Sequence, residues 1–175
     1  MKIYQTYKDI MIRSMLASDI DIICRNLEEQ EWHADIYKFK TYLEMQLEQT
    51  RIIFIACNDQ DVLGYATLDK NPSYGPLIDQ HIPMIIDLNV FVKYQNQGVG
   101  TKIMDTIEHY VKKHASQIHL GVGLHKGYGA AQKLYVKRGY VPDGSGVWYK
   151  DQPLTPYLET INDDDLNLYM IKILS

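Results

Sequence analysis

Cysteine is scarce in this sequence, and other features that would direct the chain to a membrane or an oxidising compartment are missing. The two cysteines, Cys24 and Cys57, lie in apolar periodic segments, with no spacing typical of a disulfide framework or a metal site. The start of the chain is too polar for a secretory signal, and no apolar run approaches the roughly 18 residues of a membrane span. We therefore expect a protein of the reducing cytoplasm, with no membrane partner and no bound metal.

An excess of basic residues is also missing. The chain has 18 Lys and Arg against 22 Asp and Glu, a net charge of -4, whereas neutralising nucleic-acid phosphates requires a basic face. We therefore exclude a general nucleic-acid binder. With 46% hydrophobic and 23% charged residues, the 175-residue chain has the composition and length of one globular domain, which we expect to span residues 1–175.

The hydrophobic periodicity predicts a mixed α/β domain. Strands are predicted over 10–16, 51–57, 62–68, 83–92 and 117–122, and the last two in VWYK (147–150) and LNLYMIKIL (166–174). Helices are predicted from Ser18 and over about 35–48, 99–114 and 128–138, the last ended by Gly139 as a left-handed cap. The order is β-α-α-β-β-β-α-β-α-β-β, and the run 83–92 is apolar enough for a strand buried on both faces.

The segment YQNQGVGTKI (94–103) places Gly98 and Gly100 between a predicted strand and a predicted helix. A dinucleotide-binding fingerprint requires a third glycine where Ile103 stands and an acidic residue near Ile118. A P-loop requires Gly-Lys-Ser/Thr, whereas the chain reads GTK. Two interpretations remain open: an ordinary strand-to-helix turn, or N–H groups that close around an anion such as a pyrophosphate at the positive end of a helix.

Two segments resemble motifs of the GNAT superfamily of N-acetyltransferases. DLNVFVKYQNQGVG (87–100) resembles motif A, whose signature Q/R-x-x-G-x-G/A is matched by Gln95, Gly98 and Gly100. AAQKLYVKRGY (130–140) resembles motif B through Leu134, Tyr135, Gly139 and Tyr140. The predicted element order is also similar to that of the superfamily. The resemblance implies an α/β, single-domain GNAT-like fold, with a mixed, mostly antiparallel sheet flanked by helices and with splayed central strands.

The resemblance implies acetyl-CoA as cosubstrate and assigns residues to hold it. The backbone N–H groups that would bind the pyrophosphate belong to Gln97, Gly98, Val99, Gly100 and Thr101, while Gln95 would support the loop and Asn96 would also contact the cofactor. The backbone of Leu88 and Val90 would pair with the pantetheine amides as an added strand. Tyr128 and Ala131 are assigned to the same cofactor, and Tyr128 stands where the superfamily commonly has an Asn that holds the pantetheine arm.

Two side chains are candidates for proton transfer. The acceptor amine must attack uncharged, and a lysine-like amine with a pKa of about 10.4 costs roughly 4 to 5 kcal/mol to deprotonate at pH 7. Asp87, or a water chain that it anchors, could accept that proton, with a solvated or N–H-capping carboxylate as the alternative. Tyr135 could protonate the departing thiolate; because it lies off the Ala131/Leu134 stripe, we expect a partly exposed hydroxyl, with a buried aromatic side chain as the alternative.

Four further groups have open roles. The run 146–165 could line the acceptor site or form a homodimer contact, and Asp163, Asp164 and Asp165 could attract a cationic acceptor or form a solvated turn. Trp32, His33 and Asp35 could line the acceptor pocket, with packing as the alternative for Trp32. His109 and His114, five residues apart, do not share one helix face and are expected on the solvated surface.

The predicted function is an acetyl-CoA-dependent N-acetyltransferase, which moves an acetyl group to a primary amine of a small molecule or peptide by direct attack on the thioester. The alternatives are a catalytically idle acyl-CoA-binding or sensing domain and a nucleotide-binding domain.

Overall fold

The computed structural model describes residues 1–174, which form nine strands and four α-helices. The strands are β1 (Ile3–Tyr7), β2 (Ile10–Arg13), β3 (Arg51–Cys57), β4 (Val62–Asp69), β5 (Met84–Val90), β6 (Gln117–Gly123), β7 (Val141–Tyr149), β8 (Gln152–Pro153) and β9 (Leu166–Ile173). The helices are α1 (Asp19–Glu29), α2 (Ile36–Leu47), α3 (Val99–Lys112) and α4 (Gly129–Lys137), with short 3₁₀ turns at Ile78–Gln80, Val92–Tyr94 and Lys126–Tyr128. The chain divides into two compact units: Met1–Lys70 with Ile86–Tyr110, and Asn71–Ile85 with residues 111–174.

The strands form one sheet in the order β1-β2-β3-β4-β5-β6-β9-β7-β8. Antiparallel ladders join β1 to β2, β2 to β3 and β3 to β4 in the first unit, and β6 to β9, β9 to β7 and β7 to β8 in the second. β5 pairs with β6 in parallel over Met84 with His119 and Ile85 with Leu120. The predicted mixed, mostly antiparallel α/β sheet with flanking helices is therefore confirmed.

The core of the first unit is built by the apolar faces of α1 and α2 against β3 and β4. Ile20, Ile23 and Leu27 follow helical spacing on α1, and they join Phe39 and Tyr42 of α2 in one buried cluster. Ring packing extends from the α2 aromatics to Tyr65 and Phe91. Because Phe91 directly follows β5 and is fully buried, this cluster fixes the point where the chain leaves the sheet.

Asp19 starts α1 through a buried ion pair rather than through its neighbour Ser18. Ser18 makes no side-chain capping bond, whereas both Asp19 carboxylate oxygens accept hydrogen bonds of 2.7 Å from the Arg13 guanidinium. The Leu16 N–H also donates to Asp19. Bidentate geometry compensates part of the cost of burying the two charges, and it ties β2 to the first turn of α1.

The second unit contains the predicted glycine cap at the end of α4. Gly139 has φ +86°, its N–H donates to the Val136 carbonyl, and the Tyr140 N–H donates to the Tyr135 carbonyl. These two bonds form a Schellman motif, which glycine favours because its left-handed conformation carries no side-chain penalty. The cap turns the chain into β7 and places the buried Tyr140 ring 5.9 Å from the Tyr135 ring.

The structure corrects the predicted strands at the sheet edges. β1 and β8 were not predicted, because one is mostly exposed and the other has two residues. β7 starts at Val141 rather than 147, since its register shifts between Pro142 and Val147, where two left-handed glycines interrupt the strand pattern. The run 83–92 is buried as predicted at Met84 and Ile85, but Ile86–Val90 is only half-buried. That half-buried backbone is a feature of the candidate site.

Candidate active site

β5 contains an irregularity at Asp87, the predicted general base. Asp87 has φ +56°, a conformation that few residues other than glycine adopt and that interrupts the regular alternation of a strand. Asp87, Leu88 and Val90 are all half-buried, so the strand is neither sealed in the core nor fully exposed here. Strained backbone of this kind concentrates at functional sites.

The Asp87 carboxylate is held by two residues of α2. Its Oδ2 atom accepts a hydrogen bond of 3.0 Å from the Tyr42 hydroxyl and forms an ion pair of 2.6 Å with the Lys38 ammonium. Lys38 and Tyr42 are four residues apart, so they lie on one face of the helix. Burial, followed by the negative charge of Asp87, raises the pKa of the neighbouring Tyr65 well above its ordinary value. Asp87 is thus a paired carboxylate among aromatic side chains rather than a freely solvated one.

The predicted glycine loop opens α3. After a 3₁₀ turn at Val92–Tyr94, Asn96 and Gly98 have φ values of +60° and +77°, and the helix begins at Val99. The Val99 side chain is buried, which anchors the first turn in the core, whereas Gln97, Gly98 and Thr101 are exposed. The first N–H groups of a helix have no intrahelical acceptor, so this turn presents free donors at its positive end.

Side chains of the loop fold back on its own backbone. Gln95 Nε2 donates to the Val90 carbonyl and Gln97 Nε2 donates to the Lys93 carbonyl, each at 3.0 Å. At Gly98 an added Cβ would lie 3.3 Å from Lys102 Nζ, so a side chain would enter the space in front of the helix. A pyrophosphate fits this loop, because bare backbone, helix N–H groups and a lysine ammonium are the donors that phosphate oxygens require.

Asp61, which sequence reasoning missed, anchors the start of the loop. Its Oδ2 accepts a hydrogen bond of 2.6 Å from the Tyr94 hydroxyl and lies 3.0 Å from Lys93 Nζ, while its Oδ1 accepts one of 3.0 Å from Asn26. Burial alone would raise the pKa of Asp61, but the hydrogen bonds from Tyr94, Asn26 and Lys93 outweigh it and lower the pKa to about 2. The β3–β4 hairpin therefore holds the segment that precedes the glycines.

The second unit contains Tyr128, Ala131 and Tyr135. The Tyr128 ring packs on Gly123 so closely that a Cβ there would overlap it, and its hydroxyl donates to Asp164 Oδ1 at 3.0 Å. His125 Nε2 lies 2.9 Å from the same oxygen, and its hydrogen bond is the main cause of a lowered pKa of Asp164. Asp164 thus connects the segment before β9 to the turn that starts α4.

The expectation of a partly exposed hydroxyl on Tyr135 is wrong. Tyr135 is only 5% exposed, whereas Leu134, expected in the core stripe, is half-buried. Burial raises the pKa of Tyr135 far above its ordinary value. The Tyr135 ring lies 5.9 Å from the buried Tyr140 ring, which follows the Schellman turn, so Tyr135 rather than Leu134 faces the core. Its hydroxyl therefore stays protonated throughout the neutral range.

Several other candidates have structural roles. Asp35 caps α2 by accepting hydrogen bonds from the Tyr37 and Lys38 N–H groups, and Trp32 is 47% exposed. His109 and His114 lie on the exposed surface of α3 and the turn after it, as predicted. Within residues 1–174, no group of three or more His, Cys, Asp or Glu is arranged to hold a metal ion. In the same part of the chain, the helices are too short or too polar to cross a membrane.

Solved structures share the fold at low sequence identity. The ribosomal-protein-S18-alanine N-acetyltransferase of Escherichia coli is 18% identical with a TM-score of 0.66, over 95% of this chain and 94% of that one. YncA of Salmonella typhimurium, solved with its cofactor acetyl-CoA, is 13% identical with a TM-score of 0.69, over 96% and 95%. A chimera of the spermidine N-acetyltransferase SpeG from Vibrio cholerae and hSSAT is 13% identical with a TM-score of 0.67, over 95% of this chain and 96% of that one.

No curated protein sequence matches the chain. A family model, in contrast, matches a longer part of the chain than the two motifs cover. The model of the Acetyltransferase (GNAT) family matches residues 19–140, which run from the start of α1 through the glycine loop to the cap of α4. This match covers more than half of the sequence and includes both motifs. The protein therefore belongs to the GNAT family of acetyltransferases, which use acetyl-CoA as the acyl donor.

Proposed function

We propose that the protein transfers an acetyl group from acetyl-CoA to a primary amine of a small molecule or peptide, by direct attack of the amine on the thioester. The observation that carries this proposal is the segment 87–101, in which a half-buried, irregular strand leads into a left-handed glycine and the first turn of α3. The alternative of an idle binding domain gains no support from the family match.

The cofactor is held mainly by backbone in this proposal. The N–H groups of residues 97–101 bind the pyrophosphate, and the backbone at Leu88 and Val90 pairs with the pantetheine amides. Gln95 supports that edge by its bond to the Val90 carbonyl. Asn96, Tyr128 and Ala131 complete the proposed cofactor contacts. When bound, acetyl-CoA supplies an acyl group activated as a thioester.

Asp87 removes the proton from the acceptor amine. An ammonium must lose a proton before its nitrogen can attack, and a carboxylate within hydrogen-bond reach can accept it directly or through one water molecule. Lys38 and Tyr42 hold the Asp87 carboxylate on the irregular strand next to Leu88. The base is therefore positioned by α2 beside the backbone that we assign to the pantetheine arm.

Tyr135 protonates the leaving thiolate. A thiol has an ordinary pKa near 8.5, so a donor contributes less here than the base contributes to the attack. Burial keeps the Tyr135 hydroxyl protonated, and the Schellman motif together with the Tyr140 ring fixes its orientation. The hydroxyl is thus a preorganised donor rather than a mobile surface group.

The acceptor in this proposal is an amine, as it is for the N-acetyltransferases of similar fold. Those relatives act on spermidine or on the alanine of a ribosomal protein, so the shared fold accommodates both small and macromolecular amines. For this chain we propose one domain over residues 1–175 that works in the cytoplasm. The free state of Cys24 and Cys57 supports a reducing compartment. The segment that Asp164 ties to Tyr128 and His125 is available to line the acceptor site or a homodimer contact.

A binding experiment with Gly98 variants tests the cofactor site. Coenzyme A should bind the native protein and raise its melting temperature more than ATP or NAD does. Gly98→Asp should abolish that binding because a carboxylate would enter the anion site, and Gly98→Ala is the control because it carries the same φ strain without the charge. Unchanged coenzyme A affinity in a folded Gly98→Asp variant would show that the glycine loop does not bind the pyrophosphate.

A further inference from the structure

Lys38 occupies the place that a substrate amine must take. Its Nζ lies 2.6 Å from Asp87 Oδ2, the atom to which the proposed function assigns the acceptor's proton. The same ammonium lies 5.7 Å from the centre of the Tyr42 ring and 5.8 Å from that of Phe39. A primary aliphatic amine is therefore already seated on the candidate base, among aromatic rings that favour a cation.

The position of Lys38 in the helix is unfavourable without Asp87. α2 begins at Ile36 after its cap Asp35, so Lys38 lies in the first turn, where the positive end of the helix dipole repels a cation. The ion pair with Asp87 compensates this repulsion. Because the Lys38 side chain is 40% exposed, its nitrogen remains accessible from solvent while it contacts the carboxylate.

We propose that Lys38 is itself an acceptor, acetylated on Nζ by the protein's own active site. This inference rests on the proposed function, since it uses the same base and the same acyl donor. The ammonium gives one proton to Asp87, the freed nitrogen lone pair forms the N–C bond to the thioester carbonyl carbon, and the C–S bond breaks. The electron pair of the C–S bond leaves on sulfur, the nitrogen loses its second proton, and the thiolate takes up that proton. Lys38 thereby becomes a neutral secondary amide that no longer pairs with Asp87.

Lys40 is the matched internal control. It lies two residues further along α2, it is exposed, and its ammonium sits 5.6 Å from the centre of the Tyr37 ring. Acetic anhydride, which needs no binding site, should acetylate Lys40 faster than Lys38, because the ion pair with Asp87 protects Lys38. Acetyl-CoA should acetylate Lys38 faster than Lys40. This inversion of selectivity separates active-site chemistry from the general reactivity of surface lysines.

The experiment incubates the purified protein with each reagent, without an added amine, and maps acetylated lysines by peptide mass spectrometry over time. Asp87→Asn should expose Lys38 to acetic anhydride and slow its acetylation by acetyl-CoA about 10²-fold, the lower end of a general base's contribution. Gly98→Asp should leave the anhydride pattern unchanged and remove the preference of acetyl-CoA for Lys38. Lys38→Arg should lose the modification at residue 38. Circular dichroism of each variant tests whether it is folded.

Release of free thiol from acetyl-CoA with a panel of amines is measured in parallel. The inference is overturned if added amines are acetylated while Lys38 and Lys40 react with acetyl-CoA in the same order as with acetic anhydride. It is also overturned if Asp87→Asn acetylates Lys38 at the native rate. Absence of both amine turnover and Lys38 acetylation overturns the proposed function together with the inference.

Discussion

Asp61→Asn should destabilise the protein and loosen the loop before the glycines. The native carboxylate binds Tyr94 and Lys93 on that loop and Asn26 on α1, and its pKa falls from 3.8 to about 2. A fall of that size in pKa corresponds to about 2 kcal/mol of folding free energy. For a domain of this length, a change of that size should lower the melting temperature by about 4 to 8 °C.

The pH dependence of this loss has a defined direction. Because the folded-state pKa of Asp61 lies below its unfolded value, its stabilisation is present above about pH 4 and is lost as pH falls through about 2. The stability difference between the native protein and Asp61→Asn should therefore be constant near neutral pH and shrink in acid. Urea unfolding at a series of pH values measures it.

Asp59→Asn is the control, because Asp59 lies in the same hairpin turn but is exposed. Its effect on unfolding should stay within about 0.5 kcal/mol, as for most surface substitutions. Equal losses in the two variants, or a difference between native protein and Asp61→Asn that does not shrink in acid, would refute the anchoring role. A folded Asp61→Asn protein should also bind coenzyme A more weakly, since the loop is less restrained.

Gly64→Ala tests the close contact between β4 and β5, with Gly129→Ala as its control, and Tyr135→Phe tests the proposed acid. Gly64→Ala should cost roughly 1 to 3 kcal/mol of unfolding free energy, because its Cβ would lie 2.5 Å from the Asn89 carbonyl oxygen on β5. Gly129→Ala, which meets no atom within 4 Å and has a helical φ of -57°, should be neutral or slightly stabilising in the same urea assay. Tyr135→Phe should lower kcat by about 10²-fold with little change in coenzyme A affinity, and a native kcat where chemistry limits turnover would exclude Tyr135 as the acid.

Local sequence signals predicted most of the fold. Hydrophobic periodicity and Gly139 were sufficient for α2, α4, β3 and β4, whose observed bounds agree with the predictions within one residue. The edge strands were missed because a strand packed on only one side needs little apolar pattern. The start of β7 was missed because Gly144 and Gly146 are typical of a loop. In the structure β7 pairs with β9 both before and after these two glycines.

The partners of the site residues could not be predicted, because they meet only in the folded chain. Tyr94 and Asp61 are 33 residues apart, and Tyr42 and Asp87 are 45 apart, so no local pattern connects them. In sequence, Asp61 is one of several polar residues of a hairpin turn, and Lys38 is one of two lysines on an exposed helix end. The one available signal was Asp35 before a helix, which predicts an N-cap and therefore the face on which Lys38 and Tyr42 lie.

The transfer itself is tested most directly by a continuous assay of free thiol, with acetyl-CoA and a panel of polyamines, aminoglycosides and peptides, followed by mass analysis of the amine. At least one amine should gain an acetyl group with one thiol released per product, and Gly98→Asp should show neither. Tight coenzyme A binding without acetylation of any amine in the panel would contradict it.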